Sequence, residues 1–218
     1  MCERSMLFDL DGTLTDSGEG IINCAQYAFR QMGYPVPPRE QMGVFVGPPL
    51  WQSFIRFGIP PERADEAVTV FRSRYIPIGK FENTPYPGIR ELLEALKNRG
   101  WKLYVATSKP EVTAVEILEH FDLAKYFRLI CGADMGHDRE KKSDVIRYLL
   151  KQSPQNGKML MVGDTKYDVI GAKKHGISTI GVAWGYGEVA DMLAAGAAAI
   201  AQTTEELYAL IHRDLKFQ

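Results

Sequence analysis

The chain has 218 residues, 45% of them hydrophobic, and a formal net charge of −1 at pH 7. That length fits one α/β domain or a core with a modest insertion, and the apolar fraction argues against disorder. Without a basic surplus, neither nucleic acid nor an anionic membrane is expected as a partner. The odd, scattered Cys2, Cys24 and Cys131 favour reduced thiols in a cytoplasmic protein over a disulfide frame or a zinc site.

A short apolar run at residues 6–8 predicts a buried strand that ends before Gly12. Side chains at positions i and i+2 of a strand point the same way, so Asp9 and Asp11 are expected to emerge together at its carboxyl end. Ligands of open α/β sheets bind at that edge. Two adjacent carboxylates repel unless a cation or a phosphoryl group organises them, although an isolated Asp-x-Asp is more often a capped turn.

Residues 17–86 predict helices and no strand. Asp16 as N-cap begins a helix that Gly33 ends, another begins near Glu40, and Pro60-Pro61 opens a third. Because the strand pattern resumes only afterwards, the chain is expected to form a core from residues 1–16 and 87–218 with a helical domain of residues 17–86 inserted into it.

From residue 87 onward, helix and strand patterns alternate. The first predicted helix begins at residue 89 and ends at Gly100, and the next two cover residues 111–120 and 144–151. A fourth ends at residues 172–175, and the last follows Thr203 or Thr204. The predicted strands cover residues 103–106, 127–131, 159–162 and 178–183, with an edge strand at 197–201. This alternation predicts an α/β fold, a Rossmann-like parallel sheet with helices on both faces.

Polar residues follow several of these strands. Thr107 and Ser108 follow the strand at 103–106, and Asp164 and Asp168 follow the strand at 159–162. Each group has an ordinary alternative, since hydroxyl and carboxylate side chains at such places commonly cap helices. A glycine loop at residues 185–187 lacks the strand–turn–helix context of a dinucleotide site and predicts a plain loop.

The run Asp9-Leu10-Asp11-Gly12-Thr13-Leu14 resembles the first motif of the haloacid dehalogenase superfamily, in its phosphatase branch. The later strand-end groups resemble the other motifs in the same order. The segment Phe81-Glu82-Asn83-Thr84-Pro85-Tyr86-Pro87-Gly88 is typical of the phosphoglycolate phosphatase-like branch, with a helical cap between the first two motifs. The resemblance implies a Rossmann-like core, Mg²⁺, and a phosphoaspartyl intermediate on the first Asp.

Carried over residue by residue, the resemblance implies a role for each motif position. Asp9 is the nucleophile and Asp11 the general acid and base. Lys142 fits the spacing of the superfamily's lysine better than Lys141, which stays open. The implied phosphate-binding residues are Thr107, Ser108, Lys142 and Gly12, and the implied Mg²⁺ ligands are Asp9, the Asp11 backbone, Asp164 and Asp168.

The expected function is Mg²⁺-dependent hydrolysis of a small, phosphoglycolate-like phosphomonoester. A 5′-nucleotidase or pyrophosphatase of the same branch and then a phosphomutase are the alternatives. A haloacid dehalogenase has no use for Asp11 or Mg²⁺, and a non-catalytic phosphate-responsive module is least favoured. The expected partner is a small phosphorylated metabolite, and the protein is expected to be a monomer or homodimer. In the insert, Arg56, Arg72 and Arg74 are candidate contacts to a leaving group, although each is more commonly a surface charge.

Overall fold

The structure is a computed structural model that describes residues 4–134, 139, 141–153 and 157–213. Its strands are β1 (Arg4–Phe8), β2 (Thr15–Asp16), β3 (Thr84–Pro85), β4 (Lys102–Pro110), β5 (Phe127–Ala133), β6 (Lys158–Gly163), β7 (Ser178–Val182) and β8 (Ala199–Ala201). Its α-helices are α1 (Gly18–Gln31), α2 (Leu50–Arg56), α3 (Ala64–Tyr75), α4 (Ile89–Asn98), α5 (Glu111–His120), α6 (Lys142–Gln152), α7 (Lys166–Lys173), α8 (Val189–Ala195) and α9 (Thr204–Arg213). Short 3₁₀ helices cover Arg39–Phe45, Pro61–Arg63, Gly79–Phe81 and Ala124–Tyr126.

The described residues divide into two compact units. One contains residues 16–84, and the other contains the chain before and after them. The sequence placed these boundaries at residues 17 and 86, and the short strands β2 and β3 lie where the chain passes from one unit to the other. In the described ranges, no helix is both long enough and apolar enough to cross a bilayer.

The larger unit is built on a six-stranded sheet in the order β5-β4-β1-β6-β7-β8, and its neighbouring strands pair in parallel. The predicted α/β fold is therefore confirmed. Phe8 at the end of β1 pairs in register with Val105 of β4 and Val162 of β6. The carboxyl ends of β1 and β6 therefore lie side by side at one edge of the sheet, and β4 continues beyond them to Pro110.

Helices cover both faces of the sheet, as apolar strands of a parallel sheet require. Phe8 and Val105 pack on one face with buried residues of α4, α5 and α9, whereas Leu7 and Tyr104 pack on the other face with those of α6 and α7. Alternate side chains of β1 thus enter different cores. Cys131 is a buried free thiol in the second of these cores.

The smaller unit is mostly helical and has its own aromatic core. Phe54 packs against Phe29, Phe45 and Phe71, with ring centroids 5.1–6.4 Å apart. Tilted and edge-on contacts at this distance add to the free energy gained from burying the rings. Cys24 is buried and free in this unit, and Cys2 lies outside the described residues.

Several predictions for the smaller unit were wrong in detail. The helix expected near Glu40 is the 3₁₀ helix Arg39–Phe45, and α2 forms at Leu50–Arg56, where no separate helix was predicted. The N-cap of α1 is Ser17 and not Asp16. Residues 17–86 were expected to hold no strand, but the two-residue strand β3 lies near their end. It was not predicted because so short a strand leaves no periodic signal in the sequence.

Arg74 does not have the free guanidinium that a contact with a leaving group requires. It donates to both Glu82 carboxylate oxygens, at 2.8 and 2.7 Å, and Asn23 donates to the same carboxylate at 3.2 Å. Such a two-point ion pair fixes the guanidinium plane. Arg56 and Arg72 are exposed, so they remain the candidate cations of this unit.

Candidate functional site

Predicted site residues cluster at the sheet edge where β1, β4 and β6 end. Asp9 follows β1 directly, and its backbone N–H still donates to the carbonyl of Val162 in β6, at 2.9 Å. Thr107 lies near the end of β4, and Asp164 follows β6. All three are less than a tenth exposed. The parallel register therefore brings the three groups together although about 100 residues or more separate Asp9 from the other two.

Lys142 holds the centre of the cluster. Its Nζ lies 2.8 Å from Asp9 Oδ1, 2.8 Å from Asp168 Oδ1 and 2.9 Å from the carbonyl oxygen of Ala106. An ammonium has three N–H donors, and these acceptors can use all of them. Lys142 is buried as the first residue of α6, whereas Lys141 caps the same helix and is exposed. Of the two lysines that the sequence left open, Lys142 is the one at Asp9.

The Asp9 carboxylate has two further donors. The backbone N–H of Leu10 donates to Oδ1 at 2.7 Å, and the Thr107 hydroxyl also hydrogen-bonds to the carboxylate. Ser108 is exposed, because neighbouring residues of a strand point to opposite faces. Thr107 is therefore the predicted hydroxyl that the structure places at Asp9.

Lys109 is a site residue to which no role was assigned from the sequence. Its Nζ lies 2.9 Å from Asp11 Oδ2, and its side chain is only 6% exposed. Asp11 Oδ1 is buried and has no hydrogen-bond partner among the described residues. The alternation of β4 could have predicted this contact, because Lys109 lies two positions after Thr107 and shares its face.

Asp164 is held by the turn that follows β1. The Thr13 hydroxyl donates to Asp164 Oδ1 at 3.2 Å. Gly12 has a φ of +78°, and a Cβ there would lie 2.1 Å from Asp164 Oδ2, so both backbone conformation and space require glycine. The Gly12 N–H donates to the carbonyl of Thr15 at 2.9 Å, so a phosphate oxygen would compete with this bond for the donor.

Asp168 caps α7 and also faces Lys142. Its Oδ2 accepts hydrogen bonds from the Thr165 backbone N–H at 3.0 Å and the Thr165 hydroxyl at 2.9 Å, a capping box. Its Oδ1 is the one paired with Lys142. The capping interpretation and the site interpretation are thus compatible.

Asp9, Asp164 and Asp168 fit a divalent metal. Each can offer one carboxylate oxygen, and these three oxygens lie within 4.8 Å of one another. Three buried carboxylates share one buried ammonium, which leaves an excess of negative charge, and a hard cation such as Mg²⁺ prefers an all-oxygen set of this kind. The Asp11 side chain is not in this group, in keeping with the expectation that Asp11 would offer its backbone carbonyl.

Burial and mutual repulsion make two of these carboxyls weak acids when no metal is bound. Burial raises the pKa of Asp9 to about 6, against the opposing effect of Lys142. Burial and the charges of Asp168 and Asp9 raise the pKa of Asp164 to about 8. Cation binding at this site therefore competes with protons near neutral pH.

We expect the metal-free protein to lose stability as the pH rises from about 5 to about 8. A carboxyl whose folded pKa is raised keeps a proton that the unfolded chain releases near pH 4, so the free energy of unfolding falls until the pH passes the folded pKa. The melting temperature in chelator should fall by roughly 5 °C or more over this range, and Mg²⁺ should reverse the loss at the upper end.

Asp164→Asn is the matched control for this pH profile, because it removes the more strongly shifted carboxyl and keeps the shape of the side chain. Its melting temperature should depend less on pH than that of the wild type. Parallel profiles for the two proteins, each unchanged by Mg²⁺, would contradict the assignment of the raised pKa to Asp164.

Comparisons with known proteins concern the family and the fold of the chain. The haloacid dehalogenase-like hydrolase family model matches residues 6–182, a range that includes all of the predicted site residues. A predicted phosphatase from Clostridium acetobutylicum has a similar structure, with a TM-score of 0.89 and 41% identity over 98% of this chain and 100% of that one. The family model confirms the resemblance found in the motifs.

Curated relatives have several activities. A 5′-nucleotidase from Pseudomonas aeruginosa is 44% identical over 185 residues, 84% of each chain. A phosphoglycolate phosphatase from Vibrio parahaemolyticus is 30% identical over 95% of this chain and 96% of its own length. The tyrosine-protein kinase PtkA from Mycobacterium tuberculosis is 42% identical over 183 residues, 84% of this chain, but the match spans only 62% of the kinase.

Proposed function

The chain belongs to the haloacid dehalogenase-like hydrolases, and on that premise we propose that it is a Mg²⁺-dependent phosphatase of small phosphomonoesters. One observation carries the proposal. Asp9 is buried, is held by Lys142, Thr107 and the Leu10 N–H, and stands two residues before a second carboxylate, that of Asp11. A fixed carboxylate with an acid beside it is the arrangement that covalent phosphoryl transfer requires.

In the first proposed step, a carboxylate oxygen of Asp9 attacks phosphorus. The new bond between this oxygen and phosphorus forms as the bond from phosphorus to the ester oxygen breaks. Asp11 gives its proton to the departing oxygen, which leaves as an alcohol. Lys142 and the Leu10 N–H both hold Asp9 Oδ1, which fixes the direction of the carboxylate before the substrate arrives.

In the second step, water hydrolyses the aspartyl phosphate. Asp11 takes a proton from the water as its oxygen attacks phosphorus, and the bond from phosphorus to Asp9 breaks. Inorganic phosphate leaves, and both carboxyls return to their starting states. Lys109, 2.9 Å from Asp11, holds the Asp11 carboxylate in place for both proton transfers.

We assign the cation to Asp9, Asp164 and the Asp11 backbone carbonyl, with Asp168 acting through Lys142 or through water. Both Asp168 oxygens already have partners in the protein, which supports the indirect role. When bound, Mg²⁺ offsets the repulsion between the carboxylates and the phosphate. Thr107 and Lys142 are the proposed contacts to the transferring oxygens, and the roles of Gly12 and of exposed Ser108 stay predictions.

The unit of residues 16–84 is proposed to be the cap that the resemblance implies, and to set substrate choice. None of the predicted catalytic, phosphate-binding or metal-binding residues lies within it. Its exposed Arg56 and Arg72 are the candidates for recognising an anionic leaving group, such as the carboxylate of a phosphoglycolate-like ester or the further phosphate of a pyrophosphate.

Transfer of the phosphoryl group to an acceptor other than water is the second candidate function. The 42% identity with a tyrosine-protein kinase favours it. The same aspartyl phosphate serves either reaction, and the two differ in whether water or another hydroxyl attacks it. A phosphomutase would differ in the same way.

A phosphate-release screen tests the proposal. The substrates are phosphoglycolate, nucleoside 5′-monophosphates, sugar phosphates, pyrophosphate and p-nitrophenyl phosphate, each with Mg²⁺ and with chelator. We expect release from at least one monoester, abolished by chelation and restored by Mg²⁺. Release that survives exhaustive chelation would contradict the metal assignment. Transfer to a tyrosine peptide without phosphate release would favour the second candidate.

A further inference from the structure

The loop after β7, here called the clamp loop (residues 184–187), reaches back to the site from a strand that carries none of the predicted site residues. Trp184 Nε1–H donates to the carbonyl oxygen of Thr13 at 3.1 Å. The backbone N–H of Tyr186 donates to Asp164 Oδ2 at 2.8 Å. One loop thus binds the turn after β1 and the acidic residue after β6.

The glycines of the clamp loop are required by space. A Cβ at Gly185 would lie 2.3 Å from Asp164 Cβ and 2.4 Å from the Gly12 carbonyl oxygen. A Cβ at Gly187 would lie 2.0 Å from the Asp164 carbonyl oxygen. Neither glycine has the positive φ that marks Gly12, so any residue could adopt their backbone conformation. Direct contact with Asp164, Gly12 and Thr165 is what excludes a side chain at these two positions.

These contacts fix the Asp164 carboxylate from two sides. The Thr13 hydroxyl holds Oδ1, and the clamp loop holds Oδ2. Trp184 in turn holds the backbone of Thr13 itself. The clamp loop therefore holds both the Asp164 carboxylate and the turn after Asp11, each through a different residue.

We propose that the clamp loop is a positioning element of the site, with two separable tasks. Gly185 and the Tyr186 N–H set the direction in which Asp164 presents its carboxylate to a divalent cation. Trp184 sets the position of the turn that carries Asp11. The inference rests on the proposed function and deepens it, since it assigns residues that neither the motifs nor their spacing singled out.

A purely structural role is the competing explanation, because Trp184 also packs near Tyr86, with ring centroids 6.3 Å apart, and against the main core. The test therefore needs controls that disturb packing at side chains other than that of Asp164. Gly181 lies in β7, and the nearest atoms that a Cβ there would meet belong to the side chains of Ile200 and Met192. Trp101 is a buried indole that precedes β4, at the opposite end of that strand from the site.

The first experiment compares Gly185→Ala with Gly181→Ala by following the rise in melting temperature with Mg²⁺ concentration, a readout that needs no substrate. We expect Gly185→Ala to raise the half-saturating Mg²⁺ concentration by about tenfold or more, since a displaced carboxylate loses a charge-assisted contact. Gly181→Ala should lower the melting temperature in chelator yet stay within about twofold of the wild type in half-saturation.

The second experiment compares Trp184→Phe with Trp101→Phe, and both variants lose an indole from the core. Trp184→Phe also loses the hydrogen bond to Thr13, so its kcat should fall by about tenfold while KM and the half-saturating Mg²⁺ concentration change by less than about twofold. Trp101→Phe should lose stability and keep its kcat.

The outcomes separate the clamp from the proposed function. If the wild type shows no Mg²⁺-dependent stabilisation, the metal assignment and the clamp both fail. If Mg²⁺ stabilises the wild type and both glycine variants have the same half-saturating Mg²⁺ concentration as the wild type, only the role proposed for Gly185 and the Tyr186 N–H in orienting Asp164 is contradicted. If the two tryptophan variants lose kcat equally, Trp184 is structural only. Should Gly185→Ala not fold, Tyr186→Pro replaces it with the same expected shift, and Tyr186→Ala, which loses the same phenol and keeps the N–H donor, is its control and should stay within about twofold of the wild type.

Discussion

Replacing Asp9 with asparagine is expected to lower phosphate release by about four orders of magnitude or more, because an amide cannot form the proposed aspartyl phosphate. The side chain keeps its shape and can still accept hydrogen bonds from Thr107 and the Leu10 N–H. The variant also removes a buried carboxyl whose pKa is raised to about 6, so its melting temperature at neutral pH should equal or exceed that of the wild type. Steady-state kinetics and thermal unfolding measure the two effects.

The matched control is Asp65→Asn, which makes the same chemical change at an exposed position of α3. It should leave turnover within about twofold of the wild type, as surface substitutions commonly do. Turnover in Asp9→Asn within about tenfold of the wild type would show that Asp9 is not the nucleophile.

Replacing Lys142 with methionine should affect catalysis and stability together. The methionine fills much of the volume, but Asp9 and Asp168 then face each other without the ammonium that now lies 2.8 Å from each. Breaking a buried ion pair in this way costs about 3–5 kcal/mol of unfolding free energy. Loss of the proposed contact to the transferring oxygens should lower kcat by about a thousandfold.

Lys141→Met is the control for this pair of effects, because the neighbouring lysine is exposed at the N-cap of α6. Urea unfolding should place it within about 0.5 kcal/mol of the wild type, and its kcat should be unchanged. Equal losses in the two lysine variants would contradict the central position given to Lys142.

The sheet could be predicted from the sequence because its strands are short apolar runs that end at turn residues. The strand at 159–162 and the helix at 111–120 illustrate this, since β6 extends the first by one residue at each end and α5 has the bounds of the second. The parallel arrangement then placed Asp9, Thr107 and Asp164 at one edge, because neighbouring parallel strands end together. The order of the motifs along the chain and their positions near strand ends were thus enough to predict the broad outline of the site.

Contacts between distant segments could not be predicted in the same way. The glycines at 185 and 187 were interpreted as a plain loop. Glycine is needed there because Asp164 occupies the space that a side chain would fill, and no local sequence pattern indicates this. Arg74 gave no sign that Glu82 would hold its guanidinium, because the two lie in different elements of the smaller unit. Helix α8 was not predicted, because it is short and largely exposed and its apolar periodicity is too brief to detect.

Lys109 is an intermediate case. Roles were assigned to Thr107 and Ser108 of the second motif and none to Lys109, although β4 continues to Pro110 and its alternation carries Lys109 to the face of Thr107. The extended backbone of the residues before Pro110 is the physical reason, since proline disfavours helical conformation at the position that precedes it. A strict strand interpretation of that run would have placed a second lysine at the site.

The most direct test of the account is to trap the covalent intermediate. The protein is mixed rapidly with a substrate that it hydrolyses, in the presence of Mg²⁺, and quenched in acid, and the digested peptides are examined by mass spectrometry. The account predicts a phosphoryl group on Asp9, labile to hydroxylamine as an acyl phosphate is, and no label in Asp9→Asn. A phosphoryl group on another residue, or steady turnover with no labelled Asp9 at any quench time, would contradict it.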